Sequence, residues 1–373
     1  MPQFKPAMPS KPHFEVLDGL RGIAAIMVLL FHIFETYSIV HKIPMMVGHG
    51  YLAVDFFFAL SGFVIGYAYD DRWSRGMSVG AFLKRRVVRL HPMVAIGMIL
   101  GACLFYFGAS PEFSLIAGTP LWRLLLYLFL GMLMIPTPPS VDIRGWQETY
   151  TLDAPCWSLF FEYAGNVLYA LFVRRFALRV LAVAVGISAV ATMWLTLTNG
   201  SVSGGWVLSP EHLGIGFVRL LYPFLAGLLL YRLGLRPQNL RLSFLWCSLI
   251  LIIVLMVPSP MGFVHTWQNG LYEGAVILLI FPAIVYMGAG SVAQSRRLSR
   301  ICKFMGDISY PVYLVNYPIM YVFTGWISRT GYTLEETWWM TIVVFVATIA
   351  VSYVLMRWCE GPLRAWLGRK LRL

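Results

Sequence analysis

Charge is what this sequence has least of. Only 12% of its 373 residues are Asp, Glu, Lys or Arg, about half the share of an ordinary soluble domain. Acidic residues are the scarcer kind, 17 against 29 Lys and Arg. With 59% hydrophobic residues and a mean hydropathy of +0.72, the composition excludes a soluble globule and predicts an all-α polytopic membrane protein. The net charge of +12 is then assigned to positively charged cytoplasmic loops, and no nucleic-acid partner is expected. Cysteine is sparse too. The five cysteines, at 103, 156, 247, 302 and 359, have no C-x-x-C spacing, so neither a disulfide framework nor a zinc site is implied. The seven histidines form no H-E-x-x-H pattern, and no metal is expected.

Long apolar runs are abundant. Segments long enough to cross a bilayer, or nearly so, fall at about 21–40, 51–69, 92–109, 155–173, 178–198, 212–231, 242–257, 271–288, 304–326 and 337–357. The first is longer than a signal-peptide core and ends in Glu35-Thr-Tyr rather than a small-residue cleavage site, so it is read as an uncleaved span. An eleventh run, 121–135, is short and stops at Ile135-Pro136. If it does not cross, 24 of the 29 Lys and Arg lie on one side, all but Lys42, Arg123, Arg144, Arg219 and Arg329. The positive-inside rule favours that count. The expectation is therefore about ten transmembrane helices, with 121–135 re-entrant or interfacial. The protein would sit in the cytoplasmic membrane with both termini cytoplasmic. Residues 1–17 are read as a cytoplasmic tail, 18–364 as the integral-membrane domain and 365–373 as a basic cytoplasmic tail.

The run from Asp18 to Glu35 carries an ionisable residue inside an apolar span. Eleven residues separate Arg21 from His32, about 16 Å of helix, so with Arg21 at one face His32 lies near the middle of the hydrocarbon core. An imidazole there is either a packing histidine bonded to a neighbouring helix or a functional group, function being the default at this depth. Glu35, one turn on, shares its side of the helix. It either holds the second ring nitrogen or remains an interfacial carboxylate.

Four further motifs interrupt the apolar pattern. The second span opens Gly50-Tyr-Leu-Ala-Val-Asp55 and reaches Ser61-Gly62 in mid-membrane, where small residues let helices approach closely. Lys84-Arg85-Arg86-Val-Val-Arg89 precedes the third span. That cluster is an orientation signal or a headgroup binder, or else an anion cradle, since guanidinium forks suit phosphate oxygens. Trp157-Ser158 leads to Glu162, with Asn166 one turn on; a carboxylate is costly to leave unpaired in the membrane, so Glu162 either orients a substrate or pairs with an Arg or His. Near the end stand Gly306-Asp307-Ile-Ser309-Tyr310-Pro-Val-Tyr313 with Asn316, and Glu360-Gly-Pro362-Leu-Arg364. The outer loops hold Trp206, His212, His265 and Trp267, for which an aromatic belt is the simpler account.

In this order, Asp18-Gly-Leu-Arg21-Gly…His32, Asp55-Phe-Phe-Phe…Ser61-Gly62, Arg86-x-x-Arg89-Leu-x-Pro92, Trp157-Ser-Leu-x-x-Glu162, Ile308-Ser-Tyr-Pro-x-Tyr313-Leu and Glu360-x-Pro362 closely resemble the bacterial membrane-bound acyltransferase-3 family. The resemblance covers residues 14 to 364. It implies transfer of an acetyl group from cytoplasmic acetyl-CoA to hydroxyls of an extracytoplasmic carbohydrate or glycosylated acceptor. It also implies a catalytic role for His32 beside Arg21, and donor binding by Arg86 and Arg89 with help from Lys84 or Arg85. Glu162, a third catalytic candidate, and Asp55 would line the outer approach, with Glu35, Trp157, Ser61, Tyr313 and Asn316 binding the acceptor or in support. Where many members carry a histidine, this chain has Asn316, which can hydrogen-bond without titrating. His32 would act as general base or as an acyl-carrying nucleophile. The competing class is a secondary transporter or flippase of a lipid-linked sugar, which usually shows internal repeats with broken helices; no such repeat is evident.

Overall fold

The computed structural model describes residues 14–234, 243–258, 266–291, 293 and 295–371, and among them every regular element is a helix. In chain order these are α1 (Glu15–His41), α2 (Ala53–Trp73), α3 (Val79–Leu104), α4 (Leu121–Met132), α5 (Cys156–Leu171), α6 (Leu178–Asn199), α7 (Pro210–Leu233), α8 (Ser243–Met256), α9 (Trp267–Ala275), α10 (Phe281–Ala289), α11 (Arg296–Thr330), α12 (Leu334–Leu355) and α13 (Gly361–Lys370). Short π-helical turns, Val276–Ile280 and Met356–Glu360, join α9 to α10 and α12 to α13.

The helix ends have local causes. Ser78, Ser209 and Ser295 accept hydrogen bonds from the first-turn amides of α3, α7 and α11, and Thr333 with Glu336 forms a capping box on α12, each satisfying donors that a helix start leaves open. Gly200 and Gly331 close α6 and α11 at φ of 71°, a left-handed conformation that costs glycine little.

Each of the ten crossing segments expected from sequence falls on helix. Among the described residues seven helices are long and apolar enough to cross a membrane, so this is a multi-pass membrane protein. They are α1, α2 with its preceding turn, α3, α6, α7, α9 continued into α10, and α12 continued into α13. The count of about ten is thus met only in part. At 16 and 14 residues, α5 and α8 fall short of the roughly 20 residues a perpendicular crossing needs, and α11, at 35 residues, opens on a basic turn. Helix direction is clearer than span count. Phe14 meets Tyr67 and Phe31 meets Gly50, so α1 and α2 are antiparallel; Arg21 meets Gly306 and Thr36 meets Thr324, so α1 and α11 are parallel.

The tail boundary moves. Glu15, Val16 and Leu17 already belong to α1, and the Glu15 carboxylate accepts from Ser299 at 2.7 Å. At the other end residues 365–370 continue α13 as helix. Residues 1–13, with Lys5 and Lys11, as well as Arg236, Arg241, His265 and Arg372, lie outside the described residues.

The α4 helix has 12 residues, about 18 Å, against a hydrocarbon core of about 30 Å. Its neighbours α3 and α5 run antiparallel, since Phe82 and Arg86 meet Tyr169 and Glu162 in turn. The chain therefore leaves and re-enters at one end, with α4 inside that excursion. Close packing of α2 on α7 depends on glycine. A Cβ on Gly62 would stand 1.9 Å from the Phe224 carbonyl oxygen, which is the small-residue approach expected there.

Candidate functional site

A cavity of about 350 Å³ opens among α1, α2, α3, α5, α11 and the junction of α12 with α13, large enough for part of a cofactor-sized ligand. Arg21, Arg86 and Arg89 all line it. The spacing explains this: Arg86 and Arg89 are one turn apart on α3, and α1 brings Arg21 to the same depth. Arg21 is held firmly, its Nε donating to Ser309 Oγ at 2.9 Å and Nη2 to the Gly306 carbonyl at 2.9 Å, with Asp18 at 3.1 Å. Lys84 and Arg85 are not on the cavity wall. Lys84, two residues before Arg86, is turned about 200° away from it on the helix, and Arg85, one residue before, about 100°.

Glu162 makes the pairing with an arginine that was one of its two expected tasks, but away from the expected outer approach. Its Oε1 accepts from Arg86 Nη2 at 2.7 Å and from Ser61 Oγ at 3.2 Å, so it lies at the depth of Arg21 rather than on an outer approach. Tyr313 lines the cavity with its hydroxyl 2.7 Å from Ser158 Oγ. At the mouth, Glu360 and Arg364 pair at 3.2 Å. The walls carry four arginines, Arg21, Arg86, Arg89 and Arg364, and four carboxylates, Asp18, Glu162, Asp307 and Glu360. An anion entering at Arg21, Arg86 or Arg364 competes with the carboxylate paired to it.

His32 stands higher on α1. Its Nδ1 is 2.7 Å from Glu35 Oε2, and both side chains keep 15% of their surface accessible. With Glu35 ionised, Nδ1 carries the donated proton and Nε2 keeps a lone pair, the form in which an imidazole takes a proton or attacks a carbonyl. The Tyr317 ring packs edge-on against the imidazole at 4.6 Å between centroids. His32 is not itself on the cavity wall. By the α1–α2 pairing, the uppermost α2 residue of the wall, Val54, lies level with Met27, leaving roughly 8 Å of helix to His32. At this end the Phe57 and Tyr313 rings meet at 5.6 Å.

Three expected site residues are elsewhere. Asp55 is fully buried and paired with Arg219 at 2.7 Å, so it lines no approach. Trp157 covers that pair, with the Arg219 guanidinium 5.0 Å from its ring. Asn316 is fully buried and donates to the Val312 and Tyr313 carbonyls of its own helix, at 2.9 and 2.6 Å. Two of the outer-loop rings pack inward, Trp206 meeting Trp157 and His212 and the His212 ring accepting from the Gly205 amide, whereas Trp267 stays exposed.

Sequence reasoning missed several partners. Arg219 and Glu273 are charges inside apolar runs, and Glu273 is fully buried, accepting from Ser201, the Val202 amide and Asn269. Their depth was a usable signal. The Ser158 wall position and the Glu360–Arg364 pair sit inside motifs that were noted without a role. Glu148 had no sequence signal at all. Among the described residues no group of three or more His, Cys, Asp or Glu is placed to hold a metal ion.

Residues 14–357 match the sequence profile of a known acyltransferase domain. A protein from Rhizobium radiobacter, protein 2 of the picA locus, is 34% identical over 48% of this chain and 93% of its own length. The peptidoglycan O-acetyltransferase OatA of Listeria monocytogenes is 24% identical across 95% of this chain, which spans 56% of that relative's length. The acyltransferase MdmB of Streptomyces mycarofaciens is 29% identical over 42% of this chain and 38% of its own. No solved structure matches the chain.

Proposed function

This chain belongs to the acyltransferase-3 family, and from that premise we propose that it moves an acetyl group from cytoplasmic acetyl-CoA to a hydroxyl of a carbohydrate or glycosylated acceptor on the far side of the membrane. One observation carries the reading. A cavity lined by Arg21, Arg86 and Arg89 ends roughly 8 Å of helix below a His32–Glu35 pair carried by the Arg21 helix. Guanidinium forks suit the donor's phosphates, and a histidine whose Nδ1 is held by a carboxylate suits the transfer.

In this account the donor phosphates displace Glu162 or Glu360 from an arginine, and the thioester end extends upward. Phe57 and Tyr313 swing aside to admit it across the remaining gap. His32 Nε2 takes the acceptor hydroxyl's proton as its oxygen attacks the thioester carbon. The C–S bond then breaks, and the proton passes to the thiolate, giving the ester and free CoA. An acetyl-histidine route uses the same nitrogen, and trapping an acylated protein without acceptor would select it.

The same reading puts ten crossings in the cytoplasmic membrane with both termini inside. Three relationships support it: α1 parallel to α11, antiparallel to α2, and α3 antiparallel to α5. Basic residues on one side support it as well.

The test is to reconstitute the purified protein with acetyl-CoA at its basic face and a carbohydrate at the other. Carbohydrate-dependent release of free CoA is the expected result. Accumulation of unmodified carbohydrate across the membrane, without CoA release, would instead make it a transporter.

A further inference from the structure

The outer loop between α4 and α5 delivers a carboxylate to the depth of His32. Asp142 binds the backbone amides of Arg144, Gly145 and Gln147 at 3.0, 2.7 and 2.9 Å, and Gln147 takes a φ of 59°, a left-handed conformation uncommon for a residue with a side chain. The turn is pinned further by Thr149, whose amide donates to the Trp206 carbonyl at 2.8 Å while its own carbonyl accepts from Thr137 at 3.1 Å. So much ordering at one turn calls for a reason. Its product is Glu148, 6% exposed, with its carboxylate accepting from the Tyr321 hydroxyl and facing that of Tyr317.

Those two tyrosines are one turn apart on α11, their rings meeting at 4.8 Å, and Tyr317 is the ring packed against His32. The Arg144 guanidinium lies over the other, 3.4 Å from the Tyr321 centroid. We infer that Glu148 is a positioning residue for the reaction at His32, holding Tyr321 and Tyr317 from the outer side and so fixing the ring edge that orients the imidazole. This rests on the reading in which His32 reacts.

The charge around Glu148 supports more than a static prop. Facing it are Tyr317 and Tyr321 of α11, Arg144, Asp142 and Asp153 of its own loop, and Glu35 of α1. Burial pushes its carboxyl up to about 8, against the weaker pull of Tyr321 and Arg144. It therefore changes charge in the neutral range, next to the carboxylate that holds His32.

The test compares Glu148→Gln, Glu148→Ala and His32→Ala in purified, reconstituted protein. Glutamine still accepts from the tyrosines but does not titrate. The expected result is a kcat inflection near pH 8 in the wild type that Glu148→Gln loses, at an unchanged KM for acetyl-CoA. Glu148→Ala should lower kcat about tenfold to a hundredfold at the same donor KM, the scale of a small misplacement. Should both Glu148 variants keep the wild-type kcat and pH profile while His32→Ala is inactive, Glu148 has no such part. Active His32→Ala would overturn the parent reading instead.

Discussion

Arg86 Nη2 lies 2.7 Å from Glu162 Oε1, tying α3 to α5 across the floor of the cavity. In the proposed reading the donor takes this guanidinium from the ion pair, so donor binding and pair breaking are linked. Glu162→Gln should therefore weaken competition for Arg86 and leave donor affinity equal or tighter, while Arg86→Ala weakens it by about tenfold or more. Isothermal titration with acetyl-CoA measures both. Arg86→Lys should recover only part of the loss, because an ammonium lacks the planar fork.

Asp55 and Arg219, both fully buried, make a second pair at 2.7 Å. Removing one partner leaves an uncompensated buried charge, so Asp55→Ala should cost about 3–5 kcal/mol of stability. Thermal unfolding in detergent should show the Asp55→Ala, Arg219→Leu double variant losing less than the sum of the two single changes. Retained specific activity in the folded fraction would fit a structural pair.

The legibility of this chain follows from distance along it. Helix-period relationships could be read directly: His32 with Glu35, Arg86 with Arg89, and the apolar runs that became helices. Pairings made by packing could not. Glu162 is 76 residues from Arg86 and Arg219 is 164 from Asp55, and no local pattern encodes either. Span number was blurred because apolar length sets whether a segment is buried, not whether protein or lipid buries it. Glu148 was invisible because an acidic loop residue reads as solvated until the loop is seen folded inward.

Stability should depend on pH through Glu148. Its folded value of about 8 stands above the ordinary 4.5, so between these limits the folded state keeps a proton the unfolded chain has released. Stability then falls as pH rises through that window, by up to about 1.4 kcal/mol per unit, and levels off above it. Unfolding temperatures recorded across the window should fall less steeply for Glu148→Gln than for the wild type.

Gly62→Ala should be poorly accommodated, since its Cβ would meet Phe224 backbone at 1.9 Å. Loss of folded protein by size-exclusion chromatography is expected, because α2 must separate from α7 to make room.

The central claim is that His32 does the chemistry while the basic cavity holds the donor. It is tested most directly by assaying His32→Ala for acetyl-CoA binding and for acetyl transfer to a carbohydrate in the same preparation. The account predicts wild-type binding with no transfer. Transfer at the wild-type rate would contradict it.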